Sequence, residues 1–271
     1  MAMEGSVTEH QGQNRWLTML NRVWRVFTTA IAFSLFGLGG LVLGIFVFPL
    51  IFLFIKSPGT RQNVARRIIS NAFKLFLFIV RGVGAISYEI TGIENADTAS
   101  NQIIIANHPT LIDVIFLVSV FPQADCVIKE SITRNLFMRS VVFSTNYIAS
   151  GTTSVFLRTC VSRLKSGASL LLFPEGTRTV PGQALDFKLG AASLAVKAGS
   201  TILPVTIQSS HPRYLAKNQA WYRIPPEKPL ISLHIYPSQP VESFAHIDHD
   251  RRKSTRELNQ ALLNFFNDKL S

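Results

Sequence analysis

The sequence predicts an α/β fold: a mixed, largely buried sheet flanked by helices, preceded by an N-terminal hydrophobic two-helix membrane anchor. Three observations carry that expectation. Residues 26–55 contain no charged side chain. From Ser87 onward, short apolar runs alternate with stretches of helical periodicity. A net charge of +11 also coexists with a positive mean hydropathy of +0.26, a pairing natural to a protein at a membrane surface.

Composition excludes several classes. With 271 residues, 47% apolar and 16% charged, the chain can bury a sizeable core and is not intrinsically disordered. Two cysteines, Cys126 and Cys160, are too few for a disulfide scaffold or a self-contained zinc site, and read as packing residues. The histidines lack metal-ligand spacing, so no metal is expected. Residues 1–85 carry nine Lys/Arg and two acids, hence +7, against +4 for the remaining 186 residues. The basic excess therefore flanks the apolar segment. It forms no aromatic-interleaved stripe, which argues against nucleic acid as a partner and for membrane lipids.

Taken in order, residues 1–25 form a basic N-terminal segment and 26–83 an anchoring helical region. As straight helix, 26–55 would be about 45 Å long, against a hydrocarbon core of roughly 30 Å. It contains Gly37, Gly39, Gly40, Gly44 and Pro49, residues that bend or interrupt helices. Two readings follow: a tilted single span, or a helix–break–helix that enters one leaflet and returns. Basic residues on both flanks favour the second, since both ends then face one anionic leaflet. The expected location is the membrane, with the following domain on its cytoplasmic face. A secretory signal fits poorly, because no small-residue cleavage site follows.

Residues 62–82 predict an amphipathic helix. Ile68, Ile69, Ala72, Phe73, Phe76, Ile79 and Val80 share one face, while Arg66, Arg67, Asn71 and Lys74 lie mostly opposite. The basic face suits either the headgroup layer or ordinary packing against the domain. That domain occupies 84–245. Its predicted strands are 87–91, 102–106, 125–128, 146–148, 169–173, 202–207 and 231–235. Its predicted helices are 110–121, 132–142, 152–165 and 190–198. Residues 211–229 read as loop, and 246–271 carry a terminal helix over 252–270.

Two loops place polar residues directly after apolar strands, where open α/β sheets bind ligands. The first reads Asn107-His108-Pro109-Thr110-Leu111-Ile112-Asp113. Asp113 can reach back to one imidazole nitrogen and leave the other to accept a hydroxyl proton. Thr110-x-x-Asp113 is also a capping-box pattern, so the carboxylate has an alternative duty as a helix cap. The second reads Phe173-Pro174-Glu175-Gly176-Thr177-Arg178. Gly176 allows close backbone approach and Arg178 offers a planar fork for phosphate, with Glu175 orienting the arginine or bonding a hydroxyl. The alternative is a Pro-Gly turn with a surface ion pair.

Together the two loops resemble the Asn-His-x4-Asp and Phe-Pro-Glu-Gly-Thr-Arg motifs of the glycerolipid acyltransferase superfamily, with 67 residues between His108 and Glu175. Phe187-Lys188-Leu189-Gly190-Ala191 and Leu203-Pro204-Val205 resemble two further family motifs, and the likeness covers about residues 85–235. It implies a catalytic domain at 84–245. There His108, aided by Asp113, deprotonates a lysophospholipid hydroxyl that attacks the thioester of acyl-CoA or an acyl-carrier protein. The default acceptor is 1-acyl-glycerol-3-phosphate. Asn107, Glu175, Gly176, Thr177, Arg178 and Lys129 are implied in substrate binding, with no cofactor and no metal. One departure stands out: where the family carries an Ile-Asp-Arg-like motif, this chain reads Tyr147-Ile148-Ala149-Ser150-Gly151, without arginine. A different hydroxylated lipid acceptor, or a non-catalytic lipid-binding membrane module, are the other readings.

Overall fold

The computed structural model describes residues 4–96, 101–133, 136–150 and 153–271. The chain opens with helices α1 (Glu4–Val42), α2 (Phe48–Phe54) and α3 (Pro58–Gly82). There follow β1 (Ser87–Thr91), β2 (Gln102–Ala106), α4 (Asp113–Val120), β3 (Asp125–Lys129), α5 (Glu130–Thr133), α6 (Leu136–Thr145), β4 (Ile148–Ser150) and α7 (Thr153–Lys165). The last part holds β5 (Leu170–Leu172), α8 (Gly190–Ala198), β6 (Thr201–Ser209), β7 (Leu230–Ile235), β8 (Gln239–Pro240) and α9 (Arg251–Leu270). Residues 134–135 of one predicted helix, Gly151, and Thr152 at the start of another lie outside the described residues.

The strands form one mixed sheet in the order β1-β7-β6-β2-β5-β3-β4, with β8 added against β6. Around β2 the strands are parallel, whereas β7 runs antiparallel to β6 and carries β1 alongside it. Every residue of β2 is buried, which explains its unbroken apolar run rather than an alternation. Ile104 and Ala106 join one core layer, with Leu77 and Val80 of α3 and Phe116 and Leu117 of α4. Ile103 and Ile105 join the other, with Leu164 of α7, Leu194 of α8 and Leu258, Leu262 and Phe266 of α9. The sheet is thus covered on both faces, as expected. The helix predicted from 110 starts at Asp113, because residues 110–112 form a turn, and the one predicted at 132–142 is replaced by α5 and α6.

The anchor differs from the favoured expectation. No break occurs at the glycines: the helix continues through a π-helical turn, Leu43–Val47, into α2. Pro49 lacks an N–H for the preceding turn, and the adjacent π turn accommodates that missing bond. The chain leaves the helix at Ile55, where the backbone becomes extended (φ −106°, ψ 103°). Thr18–Phe54 is long and apolar enough to cross a membrane, yet one side of it lies along the domain. Thr28 and Thr29 are buried, Thr29 beside Tyr214. Phe33 meets Trp221 at 5.9 Å, and near the other end Phe52 stacks on Phe143 at 5.2 Å. The opposite side exposes Leu38, Ile45, Phe46, Leu53 and Phe54.

Helix α3 also corrects an expectation. Arg66, read from periodicity as part of a basic outer face, is buried and ion-paired with buried Asp125 of β3. Its Nε donates to the Thr145 carbonyl at 2.9 Å and Nη1 to the Gln123 carbonyl at 2.7 Å. Arg67 and Lys74 remain exposed. The helix therefore packs against the domain through a polar clamp, because a buried guanidinium must satisfy its donors inside the protein.

Candidate active site

Strands β2 and β5 are parallel neighbours in register, Ile105 beside Leu172. Their C-terminal ends therefore release the two polar loops side by side at one edge of the sheet. In the first loop, His108 Nδ1 lies 2.8 Å from Asp113 Oδ2. Asp113 is fully buried, while the His108 side chain keeps 15% exposure, so the imidazole is open on one side only. Its ring stacks on Phe173 with centroids 4.1 Å apart and planes at 21°, which fixes its orientation.

The Asp113 carboxylate also accepts the Thr110 N–H at 2.7 Å and the Thr110 hydroxyl. Orienting the histidine and bracing the turn that leads into α4 are thus joint duties of one side chain. Burial pushes its pKa up, and the hydrogen bonds from His108 and Thr110 pull it back.

In the second loop, Glu175 accepts the His108 N–H at 3.0 Å and the Thr179 hydroxyl at 2.8 Å. Thr179 N–H in turn donates to the His108 carbonyl at 2.7 Å. Glu175 therefore ties the loops together through the backbone of His108; of its two expected duties it bonds a hydroxyl, that of Thr179, and makes no bond to Arg178 among the described residues. Its carboxyl is held above the ordinary range by burial, against the opposing pull of its two donors. Gly176 closes a turn, its N–H donating to Phe173 at 3.0 Å, with φ +65° and an exposed backbone. Thr177 sits beside it, half-buried.

Arg178 is partly committed. Its Nη1 donates to the carbonyls of Leu215 and Ala216 at 3.1 and 3.3 Å, and Nε and Nη2 have no partner among the described residues. Asn107 is not in the site. Its side chain is buried and makes both backbone hydrogen bonds of Ile207 on β6, at 2.8 Å each, so its amide is consumed by the fold. Lys129 ends β3, exposed, paired with Ser150 of β4, at the same edge as the loops but two strands from β2. Within the stretch without arginine, Ile148–Ser150 form β4, and Arg158 is exposed on α7.

Sequence reading missed Thr179, recognisable only as a hydroxyl one residue past the motif, and Leu215, for which no signal exists. The Leu215 carbonyl accepts both Arg178 and the Leu111 N–H at 3.0 Å, from a backbone held at φ +51°. A backbone acceptor in a strained conformation has no side-chain signature.

Residues 87–208 match the family model described as Acyltransferase. A 1-acyl-sn-glycerol-3-phosphate acyltransferase of Borreliella burgdorferi is 30% identical over 135 residues, 48% of this chain and 54% of that protein. One of Pseudomonas aeruginosa is 30% identical over 146 residues, 52% of this chain and 56% of that protein. The chain thus spans about half the length of these relatives. The crystal structure of the 1-acyl-sn-glycerophosphate acyltransferase PlsC from Thermotoga maritima superposes with a TM-score of 0.64 at 19% identity, covering 94% of this chain and 99% of that one, which shows a shared fold. In its motifs, its fold and these relatives, the stretch 87–208 is similar to the Acyltransferase family.

Proposed function

We propose that the protein is a membrane-seated acyltransferase that moves a fatty acyl group from a thioester, acyl-CoA or acyl-carrier protein, to a hydroxyl of 1-acyl-glycerol-3-phosphate. The observation that supports this most strongly is the His108–Asp113 pair, 2.8 Å apart at a sheet edge between two ligand-type loops. With the carboxylate ionised, Nδ1 carries the ring proton and Nε2 is the free base. It takes the acceptor's hydroxyl proton as that oxygen attacks the thioester carbonyl. Collapse of the tetrahedral intermediate expels the thiolate, and Asp113 stabilises the imidazolium meanwhile. No acyl-enzyme forms, and the reading invokes no metal or resident cofactor.

Arg178, through Nε and Nη2, which have no partner among the described residues, is assigned the acceptor phosphate, with Lys129 as a second cation at the same edge. Gly176 and Thr177 flank the arginine, and the bare backbone of Gly176 leaves room for a ligand. Asn107 acts through the fold. The outward apolar side of α1 and α2 is assigned to the bilayer, which brings the lysolipid to the loops at bilayer height and supplies positioning.

The test is turnover: purified protein is incubated with acyl-CoA or acyl-carrier-protein donors and a panel of lysolipids, and products are read by mass spectrometry. His108→Ala is expected to lower turnover about 10²–10⁴-fold while the variant still floats with lipid vesicles. Near-normal turnover in that variant removes His108 as the base.

A further inference from the structure

Next to the proposed catalytic edge lies a concavity that this mechanism does not use. Its volume is about 580 Å³, in the range of small-molecule sites. Three guanidinium groups line it: Arg22 from α1, and Arg213 and Arg223 from the loop between β6 and β7. None of the three side chains has a hydrogen-bond or ion-pair partner among the described residues. His211 adds an imidazole, and the carboxylate of Glu227 sits 3.2 Å from its Nε2. Three cations against one acid leave the pocket basic, and unpartnered guanidinium forks on a cavity wall suit phosphate.

The pocket continues toward the site. Pro181, Gly182 and Pro212 also line an adjoining groove of about 480 Å³. That groove reaches Pro109, which follows His108, and Thr179, which bonds Glu175. Its walls include Gln183, a neutral side chain able to hydrogen-bond an amide, beside Ser209, whose hydroxyl is bonded to the His211 backbone. A ligand filling both spaces has phosphates at one end, a neutral polar arm between, and its reacting group near His108. A lysophosphatidate does not match, since its phosphate and hydroxyl are a few bonds apart and the remainder is hydrocarbon. A coenzyme A thioester does match, because a long diamide arm separates its sulfur from its phosphates.

We infer that the Arg22–Arg213–Arg223 pocket holds the nucleotide phosphates of an acyl-CoA donor, with the diamide arm lying in the adjoining groove. The inference rests on the acyl-transfer reading of the His108 site, but phosphate binding is measurable without turnover.

The full chain in detergent micelles, and its Arg213→Gln/Arg223→Gln variant, are titrated calorimetrically with 3′,5′-ADP and with free coenzyme A. Saturable binding is expected for the unmodified protein, weakened about tenfold or more in the variant. The KM for acyl-CoA should rise by a similar factor, with kcat and the lysolipid KM unchanged. An acyl-pantetheine thioester, which lacks the nucleotide phosphates, should react equally with both proteins. The inference is overturned if 3′,5′-ADP does not bind, or if the variant raises the lysolipid KM instead. It is equally overturned if the variant loses affinity for phosphatidylglycerol vesicles while its acyl-CoA KM holds, or if only turnover with an acyl-carrier-protein donor suffers. If 3′,5′-ADP binds through these arginines but no donor supports transfer, the acyl-transfer reading fails and the phosphate site stands.

Discussion

Asp113 illustrates how one buried group serves both a site and the helix that carries it. Its two oxygens collect His108 Nδ1, the Thr110 N–H and the Thr110 hydroxyl. Because burial disfavours its charged form, the neutral amide is compatible with the fold. Asp113→Asn is therefore expected to keep its melting temperature while acyl transfer falls about 10²–10⁴-fold, measured as initial rates and thermal melts on one preparation. Glu175 gives a pH prediction. Its folded pKa lies above the ordinary 4.5, so the folded state favours the protonated carboxyl. The stability it contributes is fully present below pH 4.5 and declines as pH rises through the raised value. Glu175→Gln retains an acceptor for Thr179 and His108 but cannot ionise. Melting curves should coincide with those of the unmodified protein in acid, and the variant should be the more stable at neutral pH.

Among the elements, α3 shows where pattern reading stops. Periodicity correctly yields the helix and its apolar side, and it assigns Arg66 to the solvated side with Arg67. The folded chain separates the two arginines, because Asp125, 59 residues away, provides Arg66 with a buried counter-charge. Removing one partner of a buried pair strands the other. Arg66→Met should cost about 3–5 kcal/mol in denaturant unfolding. Arg67→Met, at an exposed position, should change stability by about 0.5 kcal/mol or less. The strands, by contrast, were legible within a few residues, since a doubly covered sheet needs uninterrupted apolar runs such as Ile103-Ile104-Ile105.

For the molecule as a whole, α1 and α2 join the α/β domain to an apolar outer surface. Phe46 is 60% exposed and Phe48 is 1% exposed, two residues apart on one continuous helix. Phe46→Glu is expected to weaken vesicle flotation without lowering the melting temperature. Phe48→Glu should lower the melting temperature itself, because it buries an unpaired carboxylate. Equal effects of the two on both readouts would contradict the assignment of the outer side to the bilayer.

Read along the chain alone, the α/β class, the long apolar N-terminal helix and the pairing of His108 with Asp113 were all accessible, because each is encoded in short-range periodicity or spacing. The tertiary structure alone decided the rest: that the anchor helix is unbroken and lies along the domain, that Asn107 is taken up by Ile207, and that Glu175 clamps the His108 backbone. It also decided that Arg178 leans on the carbonyl of Leu215. The reason is physical. A side chain's donors and acceptors are satisfied by whichever groups the fold brings near, and those lie 37 to 100 residues away in these cases.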